Sequence, residues 1–171
     1  MEEKVSTARV ALKYGVITSV VIMVYTTIIN LAGQSQNKWL TTFSFVFMVV
    51  GIVAAMKNFR EENHGFLSYG EGLGVGSLAS AIMGLLGATF SMLYNRFIDP
   101  TILTQALDEA RANMEAKGMD DAQIDQAMAI SQKFMSPGML FAFGVIGYLF
   151  VGFLLSLLIA AFIRKDKPVF D

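Results

Sequence analysis

Four stretches of the chain carry no charged residue: Tyr14 to Ala32, Trp39 to Met56, Leu73 to Tyr94 and Met139 to Ile163. Each is about 18 to 25 residues, against the ~20 a helix needs to cross a hydrocarbon core of ~30 Å. A soluble core helix of that length shows a polar face, and these show none. Backbone groups in lipid must pair within their own segment, so the four runs predict helices. Between the third and fourth the pattern changes to a stripe with a polar back. Leu103, Ala106, Leu107, Ala110 and Met114 fall on one helical face, with Asp108, Arg111 and Glu115 opposite. A second stripe holds Ile124, Ala127, Met128, Phe134 and Met135. The predicted fold is all-α and integral to the membrane: four transmembrane helices, with an extracytoplasmic amphipathic helical hairpin between the third and fourth. Spans are placed at about 14–32, 39–56, 69–94 and 137–163 and the hairpin at about 99–135, all within one membrane domain, 1–171.

Helix starts and stops support these boundaries. Ser68 and Glu71 have capping-box spacing, which starts the third span near Tyr69. At 1.5 Å per residue that helix rises about 39 Å by Tyr94, so it should protrude into the interface. Asp99 is placed as a cap with Pro100 at the first helical position. Gly118 is expected to end that helix in the left-handed conformation. Asp120 caps the next helix and Gln123 completes its box, and Ser136-Pro137 restarts the chain as the fourth span.

The stretch YGEGLGVG, residues 69–76, resembles a phosphate loop at first sight. A dinucleotide fingerprint needs G-x-G-x-x-G after a strand, and no strand precedes these glycines. Helix geometry explains them better. Gly72, Gly76, Ser80, Gly84 and Ala88 recur every fourth residue and therefore share one face. The fourth span answers with Gly144, Gly152, Ser156 and Ala160, interrupted by Tyr148. Small side chains let membrane helices approach closely, where van der Waals contact replaces the missing hydrophobic drive. These nine residues are read as a helix-packing set joining the third and fourth spans.

Composition narrows the rest. Apolar residues make up 54% of the 171 and charged residues 16%, well below the soluble average of about 25%. With a formal net charge of −1, nothing points to a nucleic-acid partner. No cysteine is present, which removes disulfides, thiolate catalysis and zinc–thiolate sites. The first run is too long for a signal-peptide core and lacks a small-x-small cleavage site, so a cleaved leader is not expected. Lys4, Arg9, Lys13, Lys57, Arg60, Arg164, Lys165 and Lys167 would lie inside if the N-terminus does; only Lys38, Arg96 and Lys133 lie close to a span outside. That bias predicts both termini in the cytoplasm. Trp39, Tyr14 and Tyr94 fall at span ends, where amphipathic rings favour the interface.

Candidates for chemistry are few. His64 is the one histidine and sits in a polar loop beside Glu61, Glu62 and Asn63, too few nitrogen ligands for a metal centre. The outer methionines, Met114, Met119, Met128, Met135 and Met139, follow helical stripes and read as packing. The four charge-free runs hold no Asp, Glu, Lys, Arg or His, which argues against ion-coupled transport. Thr18, Ser19, Thr26, Thr27 and Asn30 are expected to hydrogen-bond between helices. No catalytic, metal-binding or cofactor-binding residue is assigned.

Three segments carry a resemblance: KNFREENHGFLSYGEGLGVG from Lys57, FIDPTILTQALDEARANMEAKGMDDAQIDQAM from Phe97, and KFMSPGML from Lys133. In these the chain resembles a bacterial integral-membrane family called domain of unknown function 4199. The resemblance implies a four-span inner-membrane protein and brings no activity or catalytic residues. The expected function is therefore non-enzymatic: association with itself (a homo-oligomer) or with another membrane protein, in contact with membrane lipid. The rival is a lipid- or small-molecule-binding carrier with a site among the four spans.

Overall fold

The computed structural model describes residues 5–167; Lys4, one of the basic residues counted for orientation, lies outside them. The described residues form six helices: α1 (Thr7–Leu31), α2 (Lys38–Glu62), α3 (Tyr69–Phe97), α4 (Thr101–Ala116), α5 (Asp121–Phe134) and α6 (Pro137–Ile163). Four of them, α1, α2, α3 and α6, are long and apolar enough to cross a membrane. The described residues fall into two compact units. One gathers the chain up to residue 87 and again from 145; the other is residues 88–144.

Helix α1 starts seven residues before the charge-free run. The Ser6 hydroxyl accepts from the Arg9 amide at 3.4 Å, so the cap lies ahead of Arg9 and Lys13 rather than after them. Helix α2 is capped by Asn37, whose side chain accepts from the amides of Trp39 and Leu40, and it runs past Lys57 to Glu62. A charge-free run measures what can lie in hydrocarbon; backbone hydrogen bonding continues into water at either end.

In the first unit the core is built from Val10, Met48, Ile52, Met56, Phe59, Leu67, Val75, Ala79 and Met83, with the small residues Ala11, Ala55 and Ala160. Two close approaches join its first three helices. A side-chain carbon added at Gly51 would collide with Thr18, and one at Gly15 would stand 2.9 Å from Ile82 and 3.1 Å from the Ala79 carbonyl oxygen. The polar residues of α1 do not all behave as expected. Ser19 donates to the Gly15 carbonyl at 2.6 Å and Thr27 to the Met23 carbonyl at 2.8 Å, both within their own helix. A hydroxyl one turn above a carbonyl reaches it without needing a neighbour, so these two bonds are not interhelical. Tyr25 is the residue that crosses, donating to the Leu40 carbonyl at 3.0 Å from within an aromatic cluster with Phe43 and Phe47.

The second unit holds the end of α3, both short helices and the first turns of α6. The Asp99 carboxylate accepts from the Thr101 amide at 3.0 Å, but α4 begins at Thr101, and Pro100 before it already has helical angles. That one-residue offset is within the usual play of helix ends. Gly118 takes φ +75° after α4. Asp120 accepts from the Gln123 amide at 2.8 Å to open α5. The two helices touch; Arg111 of α4 pairs with its neighbour Glu115 at 3.2 Å and reaches Asp125 of α5 at 3.6 Å. Tyr94, expected at the lipid interface, is 3% exposed, with the Phe90 ring 5.8 Å away. Trp39, in the first unit, is 88% exposed.

Candidate functional site

The small residues of α3 and α6 stand opposite one another. In the first unit Gly72 faces Ala160, 3.0 Å from where a side-chain carbon would begin. One turn on, the space beside Gly76 is filled by Ser156, and the space beside Gly152 by Ser80. Gly84 then faces Tyr148, whose Cβ lies 2.8 Å from the missing carbon, with the Val145 carbonyl oxygen at 3.1 Å. Each advance of four residues on α3 matches a retreat of four on α6, which is the register of two antiparallel helices. In the second unit Gly144 faces Ala88 at 3.2 Å on the same step. Tyr148, which interrupts the small series of α6, therefore sits opposite a glycine.

The serines need no cross-helix partner. Ser80 donates to the Gly76 carbonyl at 2.8 Å and Ser156 to the Gly152 carbonyl at 2.6 Å. Both are fully buried. Turning each hydroxyl onto its own backbone satisfies it where water is absent and leaves a small, nearly apolar bump facing a glycine. Helix α2 closes the remaining space with two unbranched side chains. The Met48 methyl lies 2.8 Å from the missing carbon of Gly152 and the Met56 methyl 2.7 Å from that of Gly76. A flexible thioether fills an irregular gap of this kind at low cost. Nothing in the apolar pattern of α2 singled out these methionines, because their role depends on glycines of α3 and α6.

Beyond the seam, the end of α6 is tied down by groups the sequence did not flag. The Arg60 guanidinium donates to the Ile163 carbonyl at 3.2 Å, satisfying one of the free carbonyls at the helix C-terminus with a cation. Leu67 and Lys165 exchange two backbone hydrogen bonds, 2.9 and 2.8 Å, as an isolated antiparallel bridge. The Tyr69 hydroxyl donates to the Leu157 carbonyl at 3.4 Å. Between these contacts Ser68 and Glu71 start α3. The Ser68 amide donates to Glu71 Oε2 at 2.9 Å and the Glu71 amide to Ser68 Oγ at 3.3 Å, the two halves of a capping box. His64, with φ 56°, is exposed in the turn after α2.

Among the described residues no group of three or more His, Cys, Asp or Glu side chains is placed to hold a metal ion. The arrangement is one of surfaces: a buried seam of small residues and, outside it, long apolar faces. Four long apolar helices with that kind of close packing are the makeup of a multi-pass helical membrane protein. The chain belongs to a family described as a protein of unknown function, DUF4199, whose pattern matches residues 13–165. No curated protein and no solved structure matches it.

Proposed function

We propose that this is a non-enzymatic multi-pass protein of the bacterial cytoplasmic (inner) membrane that acts through helix–helix association with itself or with a membrane partner. Both termini are cytoplasmic in this reading, and α4 and α5 form a helical hairpin on the outer side. The lysine and arginine bias supports the orientation, and three crossings separate the N-terminus from the hairpin.

One observation carries the association. The small residues of α6 are spent inside the chain, and the opposite face of the helix is a ridge. Ile146, Phe150, Leu154, Leu158 and Phe162 recur every fourth residue and all are exposed, Phe162 by 89%. Rows at a spacing of four are the ridges that seat into grooves of a neighbouring helix. Cysteine crosslinking in native membranes tests it, helped by the absence of natural cysteines. Phe150→Cys and Leu154→Cys should yield intermolecular adducts at physiological expression, whereas Ser156→Cys should not. Monomer alone at Phe150→Cys and Leu154→Cys, as at Ser156→Cys, would sink the idea.

A carrier with a site among the spans has its own support. Asn58 Oδ1 and Ser77 Oγ are buried and have no hydrogen-bond partner among the described residues. An unpaired buried polar atom costs about 1–3 kcal/mol, so a ligand or water that met them would be favoured. Native mass spectrometry from lipid nanodiscs separates the two readings: a co-purifying small molecule, lost in Ser77→Ala, favours the carrier.

A further inference from the structure

We propose that the flank of α5 bearing Ile130 and Phe134 lies in the lipid interface, at the membrane surface opposite the chain termini; this rests on the reading of the four long helices as spans. Within the second unit α5 has two apolar faces. One buries Ile124 and Met128. The other carries Ile130 and Phe134 one turn apart, 50% and 49% exposed. At 100° per residue these two stand about 80–160° round the helix from the buried pair, so Phe134, which the sequence pattern grouped with Ile124 and Met128, lies on the open flank instead.

The depth of this flank follows from one ring contact. Phe134 meets Phe143 of α6 with ring centroids 5.9 Å apart. Counting back along α6 from Arg164, the first charge beyond the helix, a ~30 Å hydrocarbon core takes about 20 residues and ends near residue 144. Phe143 thus stands at the edge of the hydrocarbon, and Phe134 shares its level. Met139, also exposed, continues the apolar surface about one turn further into the headgroup region. The flank is therefore continuous with a surface that lipid already covers.

Charge and area agree with that occupant. Residues 88–144 carry seven carboxylates against four basic side chains, so attraction to anionic lipid is absent and apolar insertion has to supply the affinity. Ile130, Phe134, Met139 and Phe143 make a strip far narrower than the ~800 Å² per partner of a standard protein interface. An amphipathic segment needs less, because the boundary of the bilayer accepts single apolar side chains beside polar ones.

Spin labels on single cysteines in the full chain, reconstituted in zwitterionic phosphatidylcholine nanodiscs, read the depth directly. Collisions with oxygen report lipid and collisions with a water-soluble nickel chelate report solvent. Labels at Ile130→Cys and Phe134→Cys should give an oxygen-to-nickel ratio between that of Val24→Cys, exposed in the middle of the first charge-free run, and that of Glu115→Cys, on the polar face of α4. A ratio equal to Glu115→Cys overturns the proposal, and so does shielding from both reagents, which would mean a second protein chain covers the flank. If Val24→Cys itself behaves as solvent-exposed, the membrane reading fails first and takes the proposal with it. Should Phe134→Cys not fold, Phe134→Trp in a Trp39→Phe background gives a second measurement. Lipid brominated near the glycerol end of its acyl chains should then quench more strongly than lipid brominated near their middle, and no quenching by either overturns the proposal.

Discussion

Replacing Gly152 with alanine adds one carbon where Ser80 already stands. The new atom would overlap both the Cβ and the Oγ of Ser80, with the Met48 methyl 2.8 Å away. The methionine end can swing clear, so it contributes little. Ser80 cannot: its Cβ is fixed to the backbone of α3, and its hydroxyl is held by the Gly76 carbonyl at 2.8 Å. The two helices must therefore part by about 1–2 Å to restore ordinary contact, losing part of the dispersion energy of every pair along the seam. Overpacking of this kind costs typically 1–3 kcal/mol, and about 2 kcal/mol lowers the folded-to-unfolded ratio roughly 30-fold. Equilibrium unfolding in mixed dodecylmaltoside–dodecyl sulfate micelles measures it, followed by energy transfer between dyes on cysteines at Glu62 and Lys167. Gly147→Ala is the control, since a carbon added there meets nothing within 4 Å. Ser80→Gly in the Gly152→Ala background should recover most of the loss, because it removes both colliding atoms; a coupling above about 1 kcal/mol is expected for directly touching residues. Equal stability of Gly152→Ala and Gly147→Ala, within about 0.5 kcal/mol, would refute the reasoning.

In the same titration Gly84→Ala should lose about 1–3 kcal/mol, since the Val145 carbonyl oxygen at 3.1 Å is backbone, while Gly144→Ala, facing only Ala88 at 3.2 Å, should lose less. Ser68→Ala removes the α3 cap and should cost about 1 kcal/mol, with Glu71→Gln costing less because its side-chain carbonyl oxygen can still accept from Ser68. Arg60→Met frees the Ile163 carbonyl and should speed hydrogen exchange at the Leu67 and Lys165 amides, with no change at the Gln123 amide.

Helix faces, and the meeting of α3 with α6, were readable from the chain; which residue stands opposite which was not. A step of four from Gly72 to Ala88 defines one side of α3 whatever lies beyond it. On α6 the same step runs into Tyr148, and taken alone that residue looks like a break in the small series. Only the antiparallel register explains it: the bulk of Tyr148 is opposite Gly84, so a large residue on one helix is answered by a missing side chain on the other. Gly15 with Ser19 and Gly51 with Ala55 carried the same one-turn spacing of small residues in the first two spans. Two small residues on a face are common in membrane helices, whereas five are not, so these shorter pairs carry no signal of their own. Ser19 and Thr27 show the opposite error, where chemistry was assigned to a neighbour although the carbonyl one turn back was nearer. Arg60 and the Leu67–Lys165 bridge had no local signature at all, since their partners are about a hundred residues away along the chain. A single helix declares what it can offer to a partner, and complementarity of shape belongs to the pair. For this reason a substitution on one side of the seam is best judged together with its counterpart on the other.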